Sequence, residues 1–382
     1  MPTPIFLIGC ESKITIAAFC VMVACPFTAS AAQNDFVVSD KDVSIFLEAL
    51  NIVRQRAVFI DKQASRNQLL QTSLQALLSQ QDQHSQFLNP EEYKRYKGYQ
   101  EENYLGLGMA LEKNSKGDVL CFPYPDSPAQ RAGIRNGDRL LTINGEEVRN
   151  KSLFAITALA TGKAGTQVKL SVSTAKGAAK KVMVRLSSTH VESVSTSWQS
   201  SIPIVKIAFF SSQTKFNLTK SLERLSAAQA IVLDLRDNPG GDLYAALECA
   251  DLFIPEGKLL ASAAGKDKQT PYRSSGIDKY LIPKLFIWQN YRTASAAEVF
   301  TTALTENGKA VSIGEISYGK GTKQSIIELS DGSALILTTE YLITPNGIKY
   351  NGIGIRPNHP LKKLSLQSVN YLQKVIELLK KP

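Results

Sequence analysis

The sequence predicts a multidomain α+β protein, and three observations carry that expectation. Apolar residues recur at helical spacing from Asp40 to about Gln100, a glycine-punctuated alternation follows from Tyr104, and strand-like runs alternate with helical ones after His190. With 382 residues, 43% of them hydrophobic, the chain can bury more than one core.

The N-terminus is a different kind of segment. After Lys13, the apolar run 14–27 leads to Ala29-Ser30-Ala31, a small-residue cleavage pattern, so residues 1–31 read as an export signal. The run is short for a membrane span, and the mature chain is expected in the periplasm or outside the cell. Retention as an anchor, or lipidation at Cys25, is the alternative. Cysteine usage agrees with export without a disulfide framework. Cys10, Cys20 and Cys25 fall in the signal, while Cys121 and Cys249 lie in separate predicted domains with no metal-ligand spacing around them and read as buried thiols. The formal charge of +10 fits an anionic membrane surface or acidic substrates as well as an ordinary solvated surface. No basic stretch is interleaved with stacking aromatics, which argues against nucleic acid as a partner.

Residues 35–100 form a helical segment with two stripes, Ile45, Phe46, Ala49, Ile52, Val53 and then Leu69, Leu70, Leu74, Leu77, Leu78. These are core or interface faces, and His84 beyond them reads as structural or capping. In residues 101–187 the alternation through Met109, Leu111 and Val119 follows Leu105-Gly106-Leu107-Gly108 and precedes Ala132-Gly-Ile134-Arg-Asn-Gly137-Asp138. Residues 188–365 then have α/β character. Strands at 205–210 and 230–236 flank a helix around 218–225, and the turn Asn238-Pro-Gly240-Gly241 feeds a helix from Asp242 to Phe253. Gly240 or Gly241 offers a backbone N–H to a substrate carbonyl, or simply supplies a positive φ. Asp234 and Asp237 read as capping or turn residues.

The run 285–288 reads as a buried strand that delivers Ser295 to the start of a helix with Val299, Phe300, Ala303 and Leu304 on one face, stopped at Asn307-Gly308. Ser295 there is either an N-cap or a nucleophile with the Ala296 N–H beside a developing oxyanion. A serine nucleophile needs a base, and His84, His190 and His359 sit in no Ser-His-Asp motif. Lys320, between Gly319 and Gly321 after the short strand 311–314, serves if burial keeps its amine neutral; otherwise it is a surface turn lysine. Beyond it, 325–329 and 334–341 read as a hairpin about Asp331-Gly332, and residues 366–382 as an amphipathic helix packed on its own domain or on a second copy.

Thr293-Ala-Ser295-Ala-Ala-Glu298, followed by Tyr318-Gly-Lys320-Gly-Thr and Gln324, resembles the carboxyl-terminal processing, or tail-specific, protease family of Ser-Lys endopeptidases. Leu233-Asp-Leu-Arg236-Asp-Asn-Pro239-Gly-Gly241 is similar to that family's glycine turn, and residues 101–187 look like its permuted PDZ domain. The resemblance implies a crotonase/ClpP-like protease core with Ser295 as nucleophile, Lys320 as general base and Gln324 orienting Lys320. Ala296 with Gly240 or Gly241 would supply the oxyanion donors. The PDZ-like loop of Leu105, Gly106, Leu107 and Gly108 would hold a terminal carboxylate, with 152–159 as the groove helix. It further implies unstructured apolar C-terminal tails as substrates, no cofactor, and an adaptor or activator as a further partner. Ala297, Tyr291-Arg292 and the bulky run 285–288 depart from the family's usual residues. A non-catalytic PDZ scaffold is the rival expectation, and it would need none of Ser295, Lys320 and Gln324. A crotonase-type acyl-CoA enzyme would share only the oxyanion turn.

Overall fold

A capping box starts the first helix, Asp40–Arg56. The Asp42 N–H donates to the Ser39 hydroxyl oxygen at 3.2 Å, and the Ser39 N–H donates to the Asp42 carboxylate at 3.0 Å. The computed structural model describes residues 38–58, 66–82, 84–100, 105–113, 117–124, 126–149, 151, 153–174, 177–187, 192–276, 280, 282–361 and 368–380; the expected export signal lies outside them. The chain divides into two units, residues 1–64 and 65–382. The first contains this helix, none of whose residues is buried, so its apolar stripe is not a core face. No described helix is long and apolar enough to cross a membrane.

The second unit is built on three sheets. The first runs His359–Pro360, Val311–Gly314, Lys284–Gln289, Ala230–Asp234, Ile202–Ile207, Val194–Gln199, parallel except for its last, antiparallel pair. Its central strands are buried on both faces, which is why they read as continuous apolar runs. Ile231, Leu233 and Ile287 pack beneath the helices Thr214–Arg224, Leu243–Asp251 and Ala296–Glu306. Val232, Phe286 and Trp288 point the other way, onto Tyr371, Leu372 and Val375 of the C-terminal helix Ser368–Leu379. The expected terminal helix thus packs on its own domain.

The second sheet is antiparallel: Gln86–Leu88, Ala334–Ile343, Leu259–Ala264, Gln269–Arg273, with Thr322–Glu328 paired to Ala334–Ile343 in the expected hairpin. The helix Arg66–Gln81 meets this sheet at its edge strand Gln86–Leu88. Leu78 is therefore buried while Leu77, expected on the same stripe, stays exposed. The third sheet, Met109–Lys113, Val119–Pro123, Asp138–Ile143, Gln167–Ser173, Ala179–Arg185, encloses a separate core around Ile134, Ile143, Ile156 and Leu170. Cys121 and Cys249 are buried free thiols, and burial pushes each up to about 12.

Arg292 joins the third sheet to the parallel one. Its Nε–H donates to Glu112 at 3.0 Å, and its guanidinium lies 3.5 Å from the centre of the Phe122 ring. The long Arg292 side chain, expected as a departure from smaller residues, is used as a contact between the two sheets' neighbourhoods.

The C-terminal helix is anchored at the end of the strand that leads to Ser295. The Tyr371 hydroxyl donates to the Gln289 carbonyl at 2.8 Å. Gly314 makes this approach possible: a Cβ there would stand 2.0 Å from the Gln289 oxygen and 2.7 Å from the Tyr371 hydroxyl, at a φ of +136°. Gly347, at +83°, has open space around it. Alanine at Gly347 is expected to cost about 1–2 kcal/mol, the left-handed penalty alone. Gly314→Ala is expected to cost about 4 kcal/mol or more because backbone must also move. Thermal unfolding of the two variants beside the parent checks this, and equal losses would contradict it.

Candidate active site

Two strand-to-helix turns lie side by side at the ends of neighbouring parallel strands. The first leaves Ala230–Asp234. Asp234 is buried and clamps Arg236 with bonds of 2.8 and 2.7 Å, and Asp237 takes a φ of +63°. Both aspartates therefore act as turn residues. Asn238, fully buried, donates from Nδ2 to the Ile207 carbonyl at 2.9 Å and accepts the Gly240 N–H on Oδ1 at 2.8 Å. That bond bears on the choice between Gly240 and Gly241. The Gly240 N–H is already committed and cannot serve a substrate oxygen. Gly240 matters instead for its missing side chain, since a Cβ there would meet the Ala294 oxygen at 2.8 Å and the Ser295 Cβ at 2.9 Å.

The second turn leaves Lys284–Gln289 and is held to the first. The Ala294 N–H donates to the Asn238 carbonyl at 2.9 Å, and the Thr293 hydroxyl donates to the Leu235 carbonyl at 2.9 Å. Ser295 closes this turn at φ 55° and ψ −121°, a backbone conformation that a side-chain-bearing residue adopts only under constraint. The Glu298 N–H donates to the Ser295 carbonyl at 2.8 Å. The strained backbone at Ser295, which a plain N-cap does not need, sets it apart from an ordinary helix start. Among the described residues, the N–H groups of Gly241 and Ala296 have no acceptor.

Glu298 collects the site around one carboxylate. Oε2 accepts the N–H groups of both Ser295 and Lys320 at 2.8 Å, while Oε1 accepts the Gly319 N–H at 2.7 Å and the Ser317 hydroxyl at 2.5 Å. Burial pushes its carboxyl up, against the pull of these four donors. Sequence reasoning gave Glu298 and Asn238 no role. The signal for Glu298 was present in the Ser295-x-x-Glu298 spacing of a capping box.

Ser295, Lys320, Gln324 and Gly241 line one cleft, whose wall includes Tyr96, Leu243, Ile326, Ile336 and Leu342. Burial pushes the Lys320 ammonium below the usual lysine range, and Glu298 opposes this only in part. His84 also feels the Lys320 charge; burial first and that charge second push it down to about 4, so its imidazole is neutral at neutral pH. Gln324 donates from Nε2 to the hydroxyl oxygens of Thr322 at 3.0 Å and Thr338 at 3.1 Å. Away from this cleft, Leu105 and Gly106 bridge to Gly162 and Ser187, and the Leu107 and Gly108 carbonyls accept from Ala129 and Tyr124. The helix Leu153–Leu159 follows in the same domain.

Comparison with known proteins points the same way. The profile of peptidase family S41 matches residues 201–361, and that of a PDZ domain matches residues 123–173. The chloroplastic carboxyl-terminal-processing peptidase 1 of Arabidopsis thaliana is 34% identical over 310 residues, covering 77% of this chain and 63% of that protein. A probable CtpA-like serine protease of Staphylococcus epidermidis is 31% identical over 317 residues, 81% of this chain and 64% of that protein. The chain thus spans a little under two-thirds of the length of these relatives. The solved structure of a photosystem II D1 C-terminal processing protease superposes with a TM-score of 0.68 at 25% identity, covering 90% of this chain and 98% of the other. The chain belongs to peptidase family S41 and carries a PDZ domain.

Proposed function

We propose that the chain is an exported serine endopeptidase that cleaves proteins near their C-termini, with Ser295 as nucleophile and Lys320 as general base. The observation that carries this reading is the shared cleft, in which the strained Ser295 lies with a lysine that burial drives toward its neutral form. Neutral Lys320 takes the proton as Ser295 Oγ attacks the scissile carbonyl carbon, and returns it to the leaving amine nitrogen. The acyl-enzyme is then hydrolysed by water, with Lys320 again accepting a proton. The N–H groups of Ala296 and Gly241 face the oxyanion, a contribution of about 10²–10³ in rate per donor.

The PDZ domain supplies tail recognition in this reading. A substrate tail adds as a strand, and its terminal carboxylate meets the loop of Leu105, Gly106, Leu107 and Gly108. Apolar tails fit best, because the groove is bordered by a helix rich in Leu, Ile and Ala.

Cleavage of an unstructured reporter tests the assignment. Ser295→Ala is expected to remove at least about 10⁴-fold of kcat, and Lys320→Ala at least about 10²-fold. An apolar reporter tail should be cut faster than a charged one. Tail binding without any Ser295-dependent cutting would favour the scaffold alternative.

The pH dependence has a defined sign. The base acts when deprotonated, so kcat/KM is expected to rise with pH through the Lys320 titration and level off above it. The midpoint should lie below the ordinary lysine value of 10.5. Glu298 and His84 are the titratable groups that face Lys320, and His84, at about 4, titrates well below this limb. An initial-rate profile from pH 5 to 11 checks it. A profile flat across that range would contradict Lys320 as base.

A further inference from the structure

The hydrogen bonds behind Gln324 fix the direction of its amide. Gln324 and Thr338 stand opposite each other on the paired strands Thr322–Glu328 and Ala334–Ile343, and the Gln324 Nε2 lies 3.1 Å from the Thr338 hydroxyl oxygen. A hydroxyl has one proton to give. Here it goes to Asp82, whose Oδ1 accepts from Thr338 at 3.1 Å and also from the His84 and Ser85 N–H groups at 2.6 and 2.8 Å. Burial of the Asp82 carboxyl would raise its pKa, but these bonds and the Ser85 hydroxyl outweigh that and lower it, so it is an acceptor only. With its proton spent on Asp82, Thr338 can only accept from Gln324. The second Nε2 proton goes to Thr322 at 3.0 Å. Both amide protons are then used, and the carbonyl end of Gln324 is left for the cleft that it shares with Lys320.

We propose that Thr338, its hydroxyl proton held by Asp82, is a positioning residue that presents the Gln324 carbonyl to Lys320. The presented oxygen accepts one N–H of the neutral Lys320 amine and thereby aims the remaining lone pair toward Ser295. The segment that holds Asp82 is itself pinned, since the Thr338 N–H donates to the Ser85 hydroxyl oxygen at 2.9 Å and the strand Gln86–Leu88 pairs beside it. The turn before the first strand of that sheet thus acts on the base through two side chains. This inference rests on the Ser-Lys reading above.

The test is a set of Thr338 variants in the mature chain, assayed on the reporter with circular dichroism as the folding control. Thr338→Val and Thr338→Ala remove the hydroxyl and are expected to lower kcat about 10–100-fold with KM within about 3-fold, as expected for a misaimed base. Thr338→Ser keeps the hydroxyl and should restore kcat to within about 3-fold of the parent. On a Gln324→Ala background, Thr338→Val should cost less than about 2-fold more, because its effect passes through Gln324. Equal losses in Thr338→Ser and Thr338→Val, or full additivity with Gln324→Ala, would overturn the positioning role. If Lys320→Ala keeps the parent rate, the Ser-Lys reading itself falls, a result separate from either.

Discussion

One buried carboxylate holds the candidate site together. A single oxygen of Glu298 accepts the backbone N–H groups of Ser295 and Lys320, residues that follow the same end of two neighbouring parallel strands. A shared acceptor fixes the relative height of the two backbones more tightly than packing of their flexible side chains would. The carboxylate's other oxygen takes Gly319 and Ser317, so the loop is held at Ser317, Gly319 and Lys320. An amide at this position would turn two of those donors against an N–H₂ group, with an unsatisfied-donor cost of about 1–3 kcal/mol each.

Asn238 does for the turn at Gly240 what Glu298 does for the loop at Lys320. Its side chain joins the first turn to the strand Ile202–Ile207 and occupies the Gly240 N–H, while its carbonyl holds the Ala294 N–H. Phe210 closes the same turn, its N–H donating to the Gly240 carbonyl at 2.8 Å and its carbonyl accepting from Asp242 at 2.9 Å. Among the described residues, the N–H groups of Gly241 and Ala296 are left without protein acceptors. Both turns are strained, and the strain is sustained by a sheet whose central strands are buried on both faces.

Much of this was legible in the sequence. The apolar runs at 230–236 and 285–288 announced fully buried strands because parallel strands carry no polar face. Gly308, with a φ of +67°, stops the helix after Ser295 as its position past the last apolar residue implied. Residue type and spacing left Ser295 and Lys320 open between a site and ordinary turn residues; it is the resemblance to the carboxyl-terminal processing proteases that singled them out with Gln324, and the structure brings the three into one cleft. What the sequence withheld depends on contacts between distant segments. Which of Gly240 and Gly241 keeps a free N–H is decided by the Asn238 side chain folding back on its own turn. Leu77 sits on a helical stripe, yet whether the stripe meets a core depends on how much of the sheet lies beneath it. Arg292 gave no hint of Phe122, and Asp82 none of Thr338, because neither pair is close in the chain.

The central claim is that Glu298 couples a reactive Ser295 to a neutral Lys320, and labelling with a serine-directed fluorophosphonate tests it most directly. Peptide mass spectrometry of the labelled chain is predicted to place the adduct on Ser295 in the parent. The labelling rate should fall about 10²-fold in Lys320→Ala and in folded Glu298→Gln, since one removes the base and the other loosens its placement. An adduct on another residue, or a folded Glu298→Gln chain labelled at Ser295 as fast as the parent, would contradict the account.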